Sequence, residues 1–196
     1  MNDKEFNDEF KRRFHIPINH AQIKGEKWLL SKWDIDLPKP GKGFLNRMEK
    51  LWQERETKPL EVGGFWNIIT NAGLNESSKR DTNDSPRNNT GVQYIQTGTG
   101  GSSEDVSATD LTTPHGSRQD IDSIGERVTV DQTSKYGAVF DDTMITAATT
   151  VNEAGLFNAS ANPSEIHAYI VFPDFTLNSG ERIVFQINEL QQNGSV

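Results

Sequence analysis

The chain has 196 residues, a third of them hydrophobic, no cysteine and a formal net charge of −8. That length suits one ordinary domain or two small ones with a modest core, and the lack of cysteine excludes disulfides, thiolate metal sites and cysteine nucleophiles. The charge is uneven, with 15 Lys and Arg against 12 Asp and Glu in residues 1–80 but 5 against 16 in residues 81–196. So acidic a C-terminal half disfavours nucleic acid as a partner, because that binding rests on neutralising phosphates.

The opening residues, Met1 to Glu9, carry charges where a signal peptide needs an apolar run, and no later stretch approaches the eighteen apolar residues of a membrane span. A soluble protein made in the cytoplasm, without a membrane partner, is expected. Phe6, Phe10 and Phe14 stand four apart and form one aromatic stripe on a short predicted helix, which Pro17 ends. A second helical candidate holds Trp28, Leu29, Leu30 and Trp33. It runs into Asp34-Ile35-Asp36-Leu37-Pro38-Lys39-Pro40-Gly41, where two prolines and a glycine enforce an extended connector. The clearest helix follows: Phe44, Leu45, Met48, Leu51 and Trp52 share one face, and Asn46, Arg47, Glu49, Lys50 and Gln53 take the other. Phe65 to Leu74 is a further short apolar segment, ending near a glycine cap at Gly73.

Three tryptophans and four phenylalanines fall within the first 52 residues. Aromatic side chains bury large areas and anchor interfaces. Phe6, Phe10, Phe14, Trp28, Trp33, Phe44, Met48, Leu51 and Trp52 are therefore the candidate partner-binding residues, the alternative being that they pack these segments onto the rest of the chain.

Residues 76–90 contain no aliphatic or aromatic side chain and read as a polar linker or loop. Beyond it the periodicity changes from about 3.6 to 2. Val92 to Gln96, Arg127 to Asp131, the alternation of Tyr136, Ala138 and Phe140, then Ile166, Ala168, Ile170 and Phe172, and finally Ile183, Phe185 and Ile187 all read as short strands. His167, Tyr169 and Val171 fall on the opposite face of theirs. The connections are too short for crossover helices, so the strands are antiparallel. The expected fold is mostly β, an antiparallel β-sandwich over residues 91–196, preceded by an N-terminal arm over residues 1–75 of short α-helices and extended connectors.

No pattern of reactive residues converges. Gly98-Thr99-Gly100-Gly101-Ser102-Ser103 lacks the Lys-Ser/Thr of a phosphate loop and reads as a strand-ending turn. Asp120 and Asp122 have offsets resembling a calcium loop, but Ile124 stands at a ligand position and Asp131 replaces the glutamate at the twelfth, so these acids read as solvated. His15, His20, His115 and His167 lack a spacing that would place two on one metal, and no nucleophile elbow supports a triad around His115, Asp110 and Ser117. Glu153, flanked by apolar residues, is expected to be partly buried and satisfied by backbone donors. A glycan hydrolase would need it to face a second acid such as Asp131 across a cleft. The sequence reads as that of a non-enzyme without a cofactor or metal.

Four short pieces resemble small structural proteins of tailed-phage particles, described as tail, fibre or baseplate proteins. They are Asn67-Ile68-Ile69-Thr70-Asn71-Ala72-Gly73-Leu74; Tyr94-Ile95-Gln96-Thr97-Gly98-Thr99-Gly100 with Asp110-Leu111 after it; Val151-Asn152-Glu153-Ala154-Gly155-Leu156-Phe157-Asn158; and Phe175-Thr176-Leu177-Asn178-Ser179-Gly180-Glu181-Arg182-Ile183. The resemblance spans about residues 67–190 and implies a virion component with a β-rich domain and no catalytic set. A virion location, other virion structural proteins as partners and a homo-oligomer in the particle are the resulting expectations, with the N-terminal segments attaching to neighbours. The alternative is a receptor- or glycan-binding module, which calls for exposed aromatics around Tyr136 or Phe157.

Overall fold

A computed structural model of the chain describes residues 26–54, 58–75, 91–101, 103, 105–130, 133–161 and 166–190. Among them run β1 (Glu26–Trp33), α1 (Phe44–Gln53), β2 (Glu61–Trp66), β3 (Ile68–Ile69), a helical turn α2 (71–75), β4 (Tyr94–Gly98) and β5 (Pro114–Asp120). There follow a short helix α3 (Ile121–Ile124), β6 (Gly125–Val130), β7 (Thr133–Asp141), β8 (Thr149–Phe157), β9 (Ile166–Leu177) and β10 (Arg182–Leu190). The strands form two five-stranded antiparallel sheets, in the orders β2-β1-β10-β7-β6 and β3-β9-β8-β4-β5. The mostly β, antiparallel sandwich expected from the alternation is the fold.

The inner faces meet in one apolar core. Trp28 and Leu30 of β1, Ala138 and Phe140 of β7, and Ile183, Phe185 and Ile187 of β10 face Ile95, Ala154, Leu156, Ala168, Ile170 and Phe172 of the second sheet. Phe185 is the hub, edge-on to Trp28, Phe140 and Phe172 at ring-centroid separations of 6.0, 5.6 and 6.1 Å. Each ring buried there contributes on the order of 1.5–3 kcal/mol, and the edge-to-face geometry adds to it.

The N-terminal part differs from its expectation. Residues 26–33 are not a helix but the strand β1, held between β2 and β10, with Trp28 opposite Ile187 and Leu30 opposite Phe185. The apolar spacing that mimics a helix arises because β1 buries both faces: Trp28 and Leu30 point into the sandwich and Trp33 points out beneath α1. With β2 and β3, residues 26–69 supply strands to both sheets, so the portion of the expected arm from Glu26 onward is part of the sandwich. The apolar segment from Phe65 likewise divides into the end of β2, β3 and α2, and Gly73 lies inside α2 rather than at a cap. The expected helix at Phe6 to Phe14 and the linker over residues 76–90 lie outside the described residues.

The amphipathic helix forms as its periodicity predicts, as α1, and lies on the outer face of the first sheet. Phe44 and Met48 are fully buried against Trp33 and Val184, with Leu45, Leu51, Trp52 and Val139 around them. Its first turn has no side-chain cap of its own, since Gly43 occupies the N-cap with φ 82°. Glu126 of β6 takes that role, accepting hydrogen bonds from the Gly43 and Leu45 amides at 2.6 and 3.0 Å. A carboxylate there satisfies otherwise orphaned donors and complements the helix dipole. Gly137 of β7 lets the helix sit close: a Cβ there would stand 2.7 Å from Leu45 Cδ2 and 2.9 Å from Phe44 Cε1. We predict that Gly137→Ala pushes α1 outward and destabilises the protein by about 1–3 kcal/mol. Urea unfolding checks this as a lower midpoint, and an unchanged midpoint would contradict the close packing.

Candidate functional site

The second sheet's outer face carries the densest polar construction among the described residues. After β4 the chain leaves the sheet at Gly98 and returns at Pro114, and this strap over residues 99–113 folds back across β8 and β9. Glu153, in the middle of β8, is fully buried beneath it. One carboxylate oxygen accepts the amides of Gly100 and Thr113 at 3.1 and 2.8 Å. The other accepts the Thr112 amide at 3.0 Å and the Tyr169 hydroxyl at 2.7 Å. Beside it the Asn152 side-chain oxygen accepts the Gly101 amide at 2.9 Å.

A buried carboxyl group is costly unless its lone pairs are filled by donors. Here they are filled from both ends of the strap, and at the end next to β4 the backbone comes close because side chains are missing. A Cβ on Gly98 would stand 2.5 Å from Glu153 Oε1, and one on Gly101 would stand 2.7 Å from the Asn152 carbonyl oxygen. The glycines expected in a strand-ending turn thus also supply one of the three amides that close on the carboxyl group, the other two coming from Thr112 and Thr113. The backbone donors expected for Glu153 are present, and their source lies 40 to 53 residues away in sequence.

The strap is pinned further along. Arg118 of β5 lies over the Phe157 ring at 3.8 Å and meets Asp110 of the strap at 3.2 Å. Leu111 packs with Phe157, Ile166 and Tyr169 in a small apolar cluster between strap and sheet. At the strap's tip the Val106 carbonyl accepts the Asn71 amide at 2.7 Å, joining it to α2.

The other candidates fall apart spatially or are engaged. Asp120 caps α3 by accepting the Asp122 amide at 2.9 Å. Asp122 takes both nitrogens of a fork from Arg127, at 3.0 and 2.5 Å. No cluster of three or more His, Asp or Glu side chains able to hold a metal occurs among the described residues. His115 accepts the Thr146 amide at 3.4 Å. Asp131, His15 and His20 lie outside the described residues. Tyr136 and Phe157, where a glycan-binding module needs exposed rings, are 8% and 0% exposed.

His167 is where strand parity misleads. The sequence places it on the face opposite Ala168 and Ile170, with Tyr169. Instead a β-bulge falls between the pairs Leu156–Ala168 and Phe157–Ile166, leaving His167 as the extra residue. It is buried, with Nε2 3.4 Å from Glu189 Oε1 of the first sheet, while the Tyr136 hydroxyl donates to Glu189 Oε2 at 3.0 Å. Bulges re-aim side chains in this way, and here the result is a buried polar tie between sheets.

Of the partner-binding candidates, Trp28, Trp33, Phe44 and Met48 are buried inside the chain's own fold, and Leu51 and Trp52 are partly buried against α1's neighbours. The Trp33 and Trp52 ring nitrogens donate to Ser31 and Gln186 at 2.8 and 2.9 Å. These six side chains pack the chain on itself, the alternative weighed from sequence. Phe6, Phe10 and Phe14 lie outside the described residues. The chain matches no family model, no curated protein and no solved structure.

Chemically, Glu153 is a clasp: its hydrogen bonds come from strap amides and from Tyr169, and among the described residues no second carboxylate shares them. We predict that Glu153→Gln, which turns an amide donor toward amide donors, destabilises the protein by about 2–4 kcal/mol. Hydrogen exchange should show protection lost first at Gly100, Thr112 and Thr113. Uniform loss across β10 as well would show that the strap is not a separate unit. The Arg127 fork holds the Asp122 carboxyl below its ordinary value of 3.8. A depressed carboxylate stabilises the fold above that value, and the stabilisation is lost as pH falls through the folded-state value. Asp122→Asn should therefore flatten slightly the loss of stability below about pH 4, the effect being small because the pair is exposed. Thermal midpoints measured from pH 7 to pH 2 check it, and parallel curves for variant and parent would refute it.

Proposed function

We propose that the chain is a structural protein of a tailed-virus particle, working through its interfaces rather than through a reaction. One observation carries this reading. The four pieces that resemble phage virion proteins occupy β3 with α2, the end of β9 running into β10, β8, and β4, and the β8 piece pairs directly with both the β4 piece and the end of β9. Asp110 and Leu111 belong to the strap that Glu153 fastens over them. Three pieces that are far apart in sequence thus meet side by side in the second sheet, and Glu153 between them serves cohesion. The attaching segments would be those leading into β1, with Phe6, Phe10 and Phe14, since Trp28, Trp33, Phe44 and Met48 are taken up by the fold. Neighbouring virion proteins are the partners in this reading, and the particle is its location.

Quantitative mass spectrometry of purified particles of the virus that encodes this chain is the test. The chain should be recovered at a fixed copy number relative to the other structural proteins. Its absence from complete particles overturns the reading.

A further inference from the structure

The core of the sandwich ends in a polar contact to which both sheets contribute. The alternation of β10 that buries Ile183, Phe185 and Ile187 in the core next buries Glu189. From the second sheet the bulge in β9 aims His167 at it, with Nε2 3.4 Å from Oε1. From β7 the Tyr136 hydroxyl donates to Oε2 at 3.0 Å. All three side chains are buried.

Among the described residues, the titratable and charged groups around this contact come from four strands of the first sheet. β10 supplies Glu189 and β7 supplies Tyr136. β1 places Glu26 opposite Glu189 in the register, and β6 places Arg127 opposite Tyr136, with its guanidinium forked onto Asp122 at 3.0 and 2.5 Å. Lys27 of β1 and Lys135 of β7 stand opposite Asn188 instead. Beside β9 in the second sheet, Thr70 brings a hydroxyl, which donates to the Ile166 and His167 carbonyls, and no charge. A carboxylate taken out of water needs a compensating cation as well as hydrogen-bond donors, and the imidazole of His167 is the group aimed at Glu189 from across the core.

Independently of the virion reading, we propose that His167 and Glu189 form a pH-sensitive latch between the two sheets, closed while His167 is protonated and weakened when that proton leaves. Removing the proton leaves Glu189 as an uncompensated buried charge, a cost that outweighs the tendency of burial to neutralise a histidine. His167 is therefore held protonated above the ordinary histidine value of about 6.5. Its contribution to stability is complete below that value and is lost as pH rises through the folded-state value. Glu189 sets the acid limit: beside a cation its carboxyl ionises below the usual range, so the latch opens again as pH falls through that lower value. Between these limits the latch holds the last pairs of β10, Glu189 with Glu26 and with Ser134, to the second sheet.

NMR titration of the histidine rings in the full chain from pH 5 to pH 10, with the His167 signals assigned through its backbone, tests the latch. His167 should titrate at least about one unit above 6.5. Glu189→Gln keeps an oxygen for the Tyr136 hydroxyl but removes the charge, and it should bring His167 back to about 6.5 or below. Thermal midpoints read the consequence for the fold. Between pH 6 and pH 9 the parent's midpoint should fall by about 3 °C more than that of His167→Gln or Glu189→Gln. A parent in which His167 titrates at or below the ordinary value overturns the proposal. So does a His167 titration unmoved by Glu189→Gln, or a midpoint whose pH dependence is the same in parent and variants. Should the variants misfold, the titration of the parent decides alone.

Discussion

A carboxylate with no access to water has to be fully hydrogen-bonded, and at Glu153 that requirement shapes half of the molecule. Its two oxygens collect three backbone amides and the Tyr169 hydroxyl. Those donors converge because the chain between β4 and β5 doubles back over the sheet, so strap and carboxyl group hold each other in place. Glycine at 98 and 101 is the steric counterpart, since side chains there would stand where the carboxylate and the Asn152 backbone already are. Removing the acid leaves several buried donors unmet at once, a larger penalty than the loss of any single hydrogen bond.

The first sheet meets the opposite problem, an apolar outer face, and meets it with α1. Trp33 and Val184 would otherwise present aromatic and aliphatic surface to water beside Val139. The helix covers them, but only because Gly137 leaves room beneath it and Glu126 satisfies its first amides. Both outer faces are thus covered by segments whose fastening carboxylate comes from a strand of the sheet they cover. The modest hydrophobic content of the chain goes far in this arrangement, because each sheet has two packed faces over part of its area.

That double burial explains what was legible in the sequence. Where one face is buried, period shows: α1 keeps its one-sided stripe, and β7 and β10 keep their alternation through Tyr136 to Phe140 and Ile183 to Ile187. In β1 the alternation disappears because Trp33 points outward into a second cluster, and the strand takes on a helix-like spacing. β5, Pro114–Asp120, is a largely exposed strand with no apolar alternation to detect. β8 hides a glutamate and a glycine in a core strand, and β9 changes parity at the His167 bulge. The need of Glu153 for backbone donors could be read from its apolar neighbours, but not which amides would serve, because that depends on a long-range return of the chain.

The same economy extends to the strand edges. A sandwich usually risks association through its strand edges, where unpaired backbone groups invite another strand. Here the chain passes directly from β2, at the edge of the first sheet, to β3, at the edge of the second, and on the other side β5 passes through α3 into β6. Beyond the two pairs that β3 makes, with Ala168 and Tyr169, β9 carries Pro173, which has no N–H to donate, and the exposed, charged Asp174. Lys32 reaches across from β1 to the Thr176 carbonyl at 3.2 Å and to Glu61 at 3.1 Å, placing charge along the same flank. Extension of the second sheet by a further strand is disfavoured along this edge.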